Sequence, residues 1–337
     1  MINNTGIWVI IPNWNGGELT IKCLKSLQDQ TKKHNVIVVD NASEDNSVEL
    51  IEKSFPNVQI IQNERNLGFA GGVNVGIKEA LEQGAEYIVL LNNDVTLEKN
   101  WLVELEKTLK AHKKAGAATG KLLDVDGKKV DNTGDEYSIW GLTIPRERDL
   151  PAEQANDQPG EVFGACAGAA MYRAKAVRDV GLFDEKFFAY FEDTDYNFRL
   201  QLLGWKAMYE PEAIGYHATG STSGKLAGFT RLQTAKNLPM LFWKNMPLAL
   251  LPRTFPRFFL VYGLMFFGSV AKGQGWPVLK GVLLSTKNLP HAFIQRYEIQ
   301  RKRKASNAYI WSILYKDLPP NSKYWQKLRS LLPGKTG

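Results

Sequence analysis

The stretch that most constrains this chain is Tyr87-Ile88-Val89-Leu90-Leu91-Asn92-Asn93-Asp94. An aromatic residue followed by Ile, Val, Leu and Leu reads as a strand buried on both faces, the pattern of a parallel sheet covered by helices. The strand ends in polar groups. In an open α/β sheet, ligands bind beyond the carboxyl ends of the strands, so Asn92, Asn93 and Asp94 would emerge at the edge of a crevice. A hard cation bridging a diphosphate needs an oxygen donor there, and Asp94 is the one full charge of the three. The competing reading is that these residues cap a helix beginning near Leu97, since Asn and Asp are favoured caps.

The chain before this strand alternates the same way. Ile7 to Ile11 is a buried strand broken by Pro12-Asn13-Trp14-Asn15-Gly16-Gly17, and Glu18 to Gln28 has helical spacing. Val36 to Val39 delivers Asp40 to a strand end, ahead of a helix that Asp45 or Ser47 can cap. Val58 to Ile61 is a third strand. Asn66-Leu67-Gly68-Phe69-Ala70-Gly71-Gly72-Val73-Asn74 then opens a helix running to about Leu81. Such alternation predicts a doubly wound α/β arrangement. Asp40 accepts hydrogen bonds only, so it suits the imide N–H of uracil or thymine or the N–H groups of guanine; a capping role is the alternative. Gly68, Gly71 and Gly72 let backbone approach a pyrophosphate, although their spacing is not that of a dinucleotide-binding loop.

From Leu97 to Lys110 the chain reads as a surface helix. Lys121 to Gly160 is polar and turn-rich, an insertion that can hold a hairpin. Gly164 to Ala170 is small-sided enough to imply close approach of a ligand or another backbone. Phe187-Phe188-Ala189-Tyr190-Phe191-Glu192-Asp193-Thr194-Asp195 sets three carboxylates among aromatics, ahead of Arg199. Their repulsion and desolvation would raise at least one pKa, which points to a reactive group; acidic residues favoured by a helix dipole are the alternative. His217 is either structural or a metal ligand. Gly220-Ser221-Thr222-Ser223-Gly224 can close over a diphosphate.

Charge divides the 337 residues. Residues 231–337 hold 18 Lys and Arg against Glu298 and Asp317, whereas 24 basic and 33 acidic residues precede them. A basic tail following an acidic body suggests an anionic surface as partner. The run Phe258 to Ala271 is shorter than the roughly 20 residues of a spanning helix, so it is expected to lie on a membrane rather than cross it; a helical homodimer interface is the alternative. Cys23 and Cys166 are too few for a disulfide framework, and no signal region opens the sequence, so a cytoplasmic location is expected, peripheral on the inner face of the membrane. Cys166 reads as a packed residue, with no His near it in sequence. A nucleic-acid binder would leave the acidic body unexplained, and none is expected as partner.

Ile11-Pro12-Asn13-Trp14-Asn15-Gly16, Val38-Val39-Asp40-Asn41-Ala42-Ser43, Asn66-Leu67-Gly68-Phe69-Ala70, Leu91-Asn92-Asn93-Asp94, Gly181-Leu182-Phe183-Asp184-Glu185 and Glu192-Asp193-Thr194-Asp195 with Arg199 and Gly204-Trp205 occur in order over the first two thirds of the chain. Together they resemble family 2 glycosyltransferases, in particular the rhamnosyltransferase-like branch. The resemblance implies an α/β GT-A nucleotide-diphospho-sugar transferase fold, with a Rossmann-like mixed, mostly parallel sheet. It also implies a nucleotide-diphospho-sugar donor, Mg²⁺ or Mn²⁺, and transfer with inversion. By matching position, Asp40 would read the base and Asn93 face the ribose, Asp94 and His217 would hold the metal, and Asp193 would be the general base, with Glu192 as substitute. Pro12, Asn13, Asn15, Asn66, Gly68, Asn74, Asn92 and Arg199 would complete the donor site. Asn92 stands where the family often has Asp, which shifts the metal's hold to Asp94 and the donor diphosphate.

The expected organisation is a catalytic domain over 1–230 and a helical, basic, membrane-associating extension over 231–337. The expected reaction moves a sugar, L-rhamnose from dTDP-rhamnose or else a sugar from UDP, onto a glycan, polyprenyl-linked, in bacterial cell-surface polysaccharide synthesis. A sugar-nucleotide nucleotidyltransferase is the alternative, although no amino-terminal Gly-rich loop suited to a triphosphate is present.

Overall fold

The computed structural model describes residues 5–218 and 227–317, so the Gly220–Gly224 loop lies outside the described residues. The elements β1 (Ile7–Asn13), α1 (Gly17–Gln28), β2 (Asn35–Asp40), α2 (Ser47–Ser54), β3 (Gln59–Gln62), α3 (Gly68–Glu82) and β4 (Tyr87–Leu91) build a parallel half-sheet in the spatial order β3-β2-β1-β4. Every residue of β4 is buried. Alternation along β1 sends Ile7, Val9 and Ile11 to one apolar layer, with Leu24 and Leu27 of α1 and Ile51 of α2. Trp8 and Ile10 go to the other, with Val73 and Ile77 of α3. Both faces are therefore covered, as a hydrophobic run without period-two polarity requires.

The chain after β4 departs from the expected helix. It forms β5 (Val95–Leu97) first, and α4 (Trp101–Ala111) starts only behind Asn100. Asn92, Asn93 and Asp94 thus occupy a strand-to-strand turn and cap nothing. Next come β6 (Ala115–Asp124), β7 (Val130–Asn132), β8 (Asp135–Tyr137), β9 (Thr143–Pro145), β10 (Gly160–Val162), β11 (Ala169–Arg173), α5 (Ala174–Val180), α6 (Glu192–Leu202) and β12 (Lys206–His217). β11 lies antiparallel between β4 and β6, and β12 runs parallel to β6, extending the sheet to ten strands. The polar stretch from Lys121 to Gly160 contains the β8–β9 hairpin. It is no loose loop, for Asp131, Asn132, Thr133, Asp135 and Tyr137 are all buried. The small-sided stretch meets protein closely: a Cβ on Gly164 would sit 2.4 Å from Nδ2 of Asn197.

Among the described residues four α-helices follow: α7 (Phe229–Asn245), α8 (Leu251–Val270), α9 (Gly275–Lys302) and α10 (Asn307–Ile313). Leu238, Leu241 and Phe242 of α7 share one core with Tyr137, Phe163, Phe187 and Phe198, so the helical region is fused to the sheet rather than tethered to it. A buried ionic knot reinforces the seam. Lys244 Nζ lies 2.6 Å from Asp184 and 3.0 Å from Asp195, Arg199 donates to Asp195 at 2.9 Å, and His291 Nε2 stands 2.9 Å from Asp184. Deleting one member would strand a buried charge. Among the described residues no helix is long and apolar enough to cross a membrane.

Candidate active site

The strands β1, β2 and β4 bring Asn13, Asp40 and Asn93 to one sheet edge. Asn13 joins the other two: its Nδ2 donates to Asp40 at 2.7 Å, and its Oδ1 accepts from Asn93 at 3.2 Å and from Thr20 at 2.8 Å. Asp40 also accepts the N–H and hydroxyl of Ser43, at 2.9 and 2.6 Å. It is 2 % exposed. A carboxylate has about four acceptor sites, so Oδ2 retains one for a donor such as a base N–H. Asn15, in the left-handed region at φ 49°, donates its own N–H to Ser43 Oγ, and its Oδ1 accepts the Glu44 N–H. Pro12 directly precedes Asn13 on β1.

Asp94 and His217 meet because β12 pairs antiparallel with β5, setting His217 against Val95, while Ala218 N–H donates to Asp94 O. His217 Nε2 is 3.2 Å from Asp94 Oδ1, and its Nδ1 is 2.7 Å from Asp131 Oδ2. Burial opposes charge on the imidazole, but the hydrogen bonds and charges of Asp131 and Asp94 outweigh it and push the ring up to about 9. Arg148 holds Asp131 from behind at 2.8 Å. One carboxylate, one imidazole and a carboxylate orienting that imidazole form a donor set that suits a divalent cation. Among the described residues no group of three His, Cys, Asp or Glu holds a metal by itself. Asp94 and His217 would supply two ligands to such a cation, and the donor's diphosphate could supply others. The side chain of Asn92 abuts Gly168, and its backbone N–H donates to Gly168 O, beside the pair.

The opposite lip is built by the loop into α6. Phe188, Tyr190 and Phe191 all have positive φ, at 64, 67 and 70°, a conformation that is costly for aromatic side chains. Asn237 of α7 holds this loop, its Nδ2 lying 3.0, 2.9 and 2.8 Å from the carbonyls of Phe187, Ala189 and Tyr190. Lys236 adds a bond to Phe187 O at 3.0 Å. The strained loop aims Asp193 beside Asp135 and Glu192. Burial, then the charge of Asp193, pushes both Glu192 and Asp135 up to about 8. Burial raises Asp193 too, yet backbone N–H groups of Thr194 and Ala167 and the Thr194 hydroxyl favour its ionised form. Neighbouring carboxyls are thus driven apart, with Asp193 suited to hold the charge and Glu192 and Asp135 the protons. Glu192 is buried with Oε2 unpartnered, whereas Asp193 is half-buried.

The two lips are neighbours. The pairing Leu91↔Ala169 sets residues 166–168, which adjoin Asp193, beside Asn92, and Asp131 and Asp193 both act electrostatically on Asp135. Asn66, Asn74 and Arg199 depart from expectation. All three line a separate cavity of about 740 Å³ that includes none of Asp40, Asp94, Asp193 and His217. Asn74 is spent on the backbone of Phe183 and on Glu185, and Arg199 on Asp195 and the carbonyls of Val180 and Leu182. Asn66 caps the N–H of Gly68, at 2.8 Å. Gly68 itself, at φ +71°, makes room for protein rather than pyrophosphate: a Cβ there would meet Phe188 O at 2.3 Å. Burial raises the Cys166 thiol, as suits a packed residue. Sequence reading missed Asp131, Asp135, Lys236 and Asn237.

Residues 8–181 match the family described as glycosyl transferase family 2. Over 240 residues the chain is 25% identical to an N-acetylglucosaminyl-diphospho-decaprenol L-rhamnosyltransferase of Mycobacterium tuberculosis, covering 64% of this chain and 77% of that protein. Over 255 residues it is 26% identical to the dTDP-rhamnosyl transferase RfbF of Shigella flexneri, covering 72% and 81%. The mannosyltransferase PcManGT from Pyrobaculum calidifontis, solved with GDP-Man and Mn²⁺, superposes at a TM-score of 0.52 with 15% identity, over 91% of this chain and 83% of that one; this likeness speaks for the fold alone. The expected GT-A architecture with helical carboxyl-terminal region stands, and the choice between glycosyl and nucleotidyl transfer falls to the former. With more than half of its length matched and its strand-end polar groups gathered at one sheet edge, the chain belongs to glycosyl transferase family 2 and is a glycosyltransferase.

Proposed function

We propose that this enzyme transfers L-rhamnose from dTDP-rhamnose, with inversion, to a polyprenyl-diphosphate-linked glycan during bacterial cell-surface polysaccharide synthesis. The observation supporting this reading is the proximity of the Asp94–His217 pair and the half-buried Asp193: Asp131, bonded to His217, and Asp193 both act on Asp135. The names of the rhamnosyltransferase relatives support the choice of sugar and acceptor. Asp40 offers its free acceptor site to the imide N–H of the base, and Asn93 and Asn13 fix its position. Asp94 and His217 would hold Mg²⁺ or Mn²⁺, which when bound supplies positive charge to the leaving diphosphate. Asp193 takes the acceptor hydroxyl proton as that oxygen attacks the anomeric carbon from the side opposite the diphosphate, so no covalent sugar–enzyme intermediate forms. Glu192, buried and raised, supports that base without meeting the acceptor. Assaying dTDP- and UDP-sugars with Mn²⁺ or Mg²⁺ tests the donor. Turnover with dTDP-rhamnose alone is expected, and turnover only with a UDP-sugar would overturn the assignment.

The surface of α8 and α9 supports an acceptor at the membrane. Phe259, Phe267, Trp276 and Ile294 are 69, 70, 72 and 65 % exposed, at positions flanked by Arg253, Lys280 and Lys287. An aromatic, basic surface of this kind seats itself among anionic headgroups on the inner membrane face, each basic residue near the surface contributing about 1 kcal/mol. Flotation with acidic-lipid vesicles is expected for the native enzyme and not for Phe259→Glu/Phe267→Glu. A concentration-dependent dimer that does not float would instead assign this face to a second subunit.

A further inference from the structure

A pocket of about 380 Å³ opens between α7, α8 and the start of α9, walled by Thr230, Arg231, Thr234, Tyr262, Met265 and Phe266. Its walls are largely apolar. Tyr262 presents only its ring, since its hydroxyl donates to Ala235 O at 2.7 Å. Among the described residues Arg231 is the single charged side chain lining it, and one guanidinium nitrogen donates to Ser269 at 3.1 Å. The pocket adjoins the base-bearing loop: Thr230 Oγ1 is 3.2 Å from the Tyr190 hydroxyl, and the Phe229 ring packs on Phe188 and Tyr190 at 6.3 and 6.1 Å. Tyr190 lies three positions before Asp193.

A cation set in an apolar cavity calls for an anion joined directly to hydrocarbon. We propose that this pocket binds the first isoprene units of a polyprenyl diphosphate, with Arg231 on the diphosphate, so that the attached sugar reaches Asp193. The inference rests on the acceptor reading above and adds where the lipid enters. The volume suits a few branched units. Met265, on the pocket wall, and Leu264 and Phe267 beside it are exposed, so the rest of a long chain leaves toward the membrane-facing surface.

Titrating the full-length enzyme with farnesyl diphosphate by calorimetry tests this. Expected are saturable binding, at least tenfold weaker binding of inorganic pyrophosphate, and a tenfold or greater loss in Thr234→Trp, which fills the pocket. Arg231→Gln is expected to weaken farnesyl diphosphate but not farnesol, and unchanged dTDP affinity serves as the folding control. If Thr234→Trp fails that control, Met265→Trp, at an exposed position, replaces it. Equal affinity in the filled variant, or dodecyl phosphate binding as tightly as farnesyl diphosphate, would overturn the proposal. An enzyme that glycosylates a water-soluble acceptor yet ignores farnesyl diphosphate would lose this pocket and keep its transferase assignment. One that binds farnesyl diphosphate but glycosylates no lipid-linked acceptor would keep the pocket and lose the acceptor reading.

Discussion

The two lips of the candidate site are built on opposite principles. On the donor lip, Asn13, Asp40, Ser43 and Asn93 satisfy one another across adjacent parallel strands, at 2.6 to 3.2 Å. On the base lip, three aromatic residues are held at positive φ, three carboxyls crowd together, and a buried Glu192 oxygen has no partner. The first arrangement stabilises itself. The second is unfavourable locally and persists because α7 pins it, most directly through Asn237. A binding surface can rest at its energy minimum, whereas the general base proposed at Asp193 would have to be kept partly desolvated and close to its working pKa, a condition that the pinned loop favours.

The widest separation of the two lips is expected from Asp193→Asn. Its turnover should fall by roughly 10²-fold or more, while the dissociation constant of the donor nucleotide stays within about twofold. Equal losses in binding and turnover would merge the lips into one functional unit. Between them sits Asp131, which orients His217 and through it would act on a bound cation. Asp131→Asn should weaken Mn²⁺ binding by about 10- to 100-fold, measured by Mn²⁺ titration in the presence of dTDP, with activity recovering at high Mn²⁺. Activity lost without recovery would make Asp131 a structural support alone.

Asn237→Ala probes the scaffolding directly. Losing an amide whose two N–H groups hold three carbonyls, at about 1 kcal/mol per N–H, should lower the melting temperature by several degrees and turnover by about tenfold, with nucleotide affinity unchanged. Unchanged turnover would show that the loop holds its shape unaided. The smallest effect concerns Glu192. Its carboxyl stands at about 8 in the folded chain against an ordinary 4.5, so the folded state keeps a proton that the unfolded state releases. Stability conferred by the protonated form is complete below 4.5, is lost as pH rises to about 8, and changes no further above that. Glu192→Gln should therefore flatten the decline in melting temperature between pH 5 and 8 while retaining most of its turnover. Turnover as low as that of Asp193→Asn would reassign the base.

The same contrast governs what the sequence discloses. Asp40 and Asn92 to Asp94 end continuous apolar strands, so their place at a sheet edge follows from hydrophobic pattern and strand length alone. The carboxylate cluster is legible at Glu192 and Asp193, where charges interrupt an aromatic run. Asp131 and Asp135 are not, because Asp131-Asn132-Thr133-Gly134-Asp135 has the composition of a turn and its burial depends on β6 and β12. Asn237 and Lys236 look like ordinary polar positions of α7 until the loop they hold is seen beside them. Arg199 misled for a readable reason: Asp195 lies four residues before it on one helix face, the spacing of a structural ion pair, and Lys244 and Asn245 complete that cluster.

The most direct test is a crystal structure of the enzyme with Mn²⁺ and a non-transferable dTDP-sugar analogue. Expected are Mn²⁺ bound by Asp94 and His217, the base at Asp40, and the Asp193 carboxylate facing the anomeric carbon from the side opposite the diphosphate. A cation held elsewhere, or Asp193 turned away from the sugar with Asp94 engaged, would contradict the shared cleft on which the proposed transfer depends.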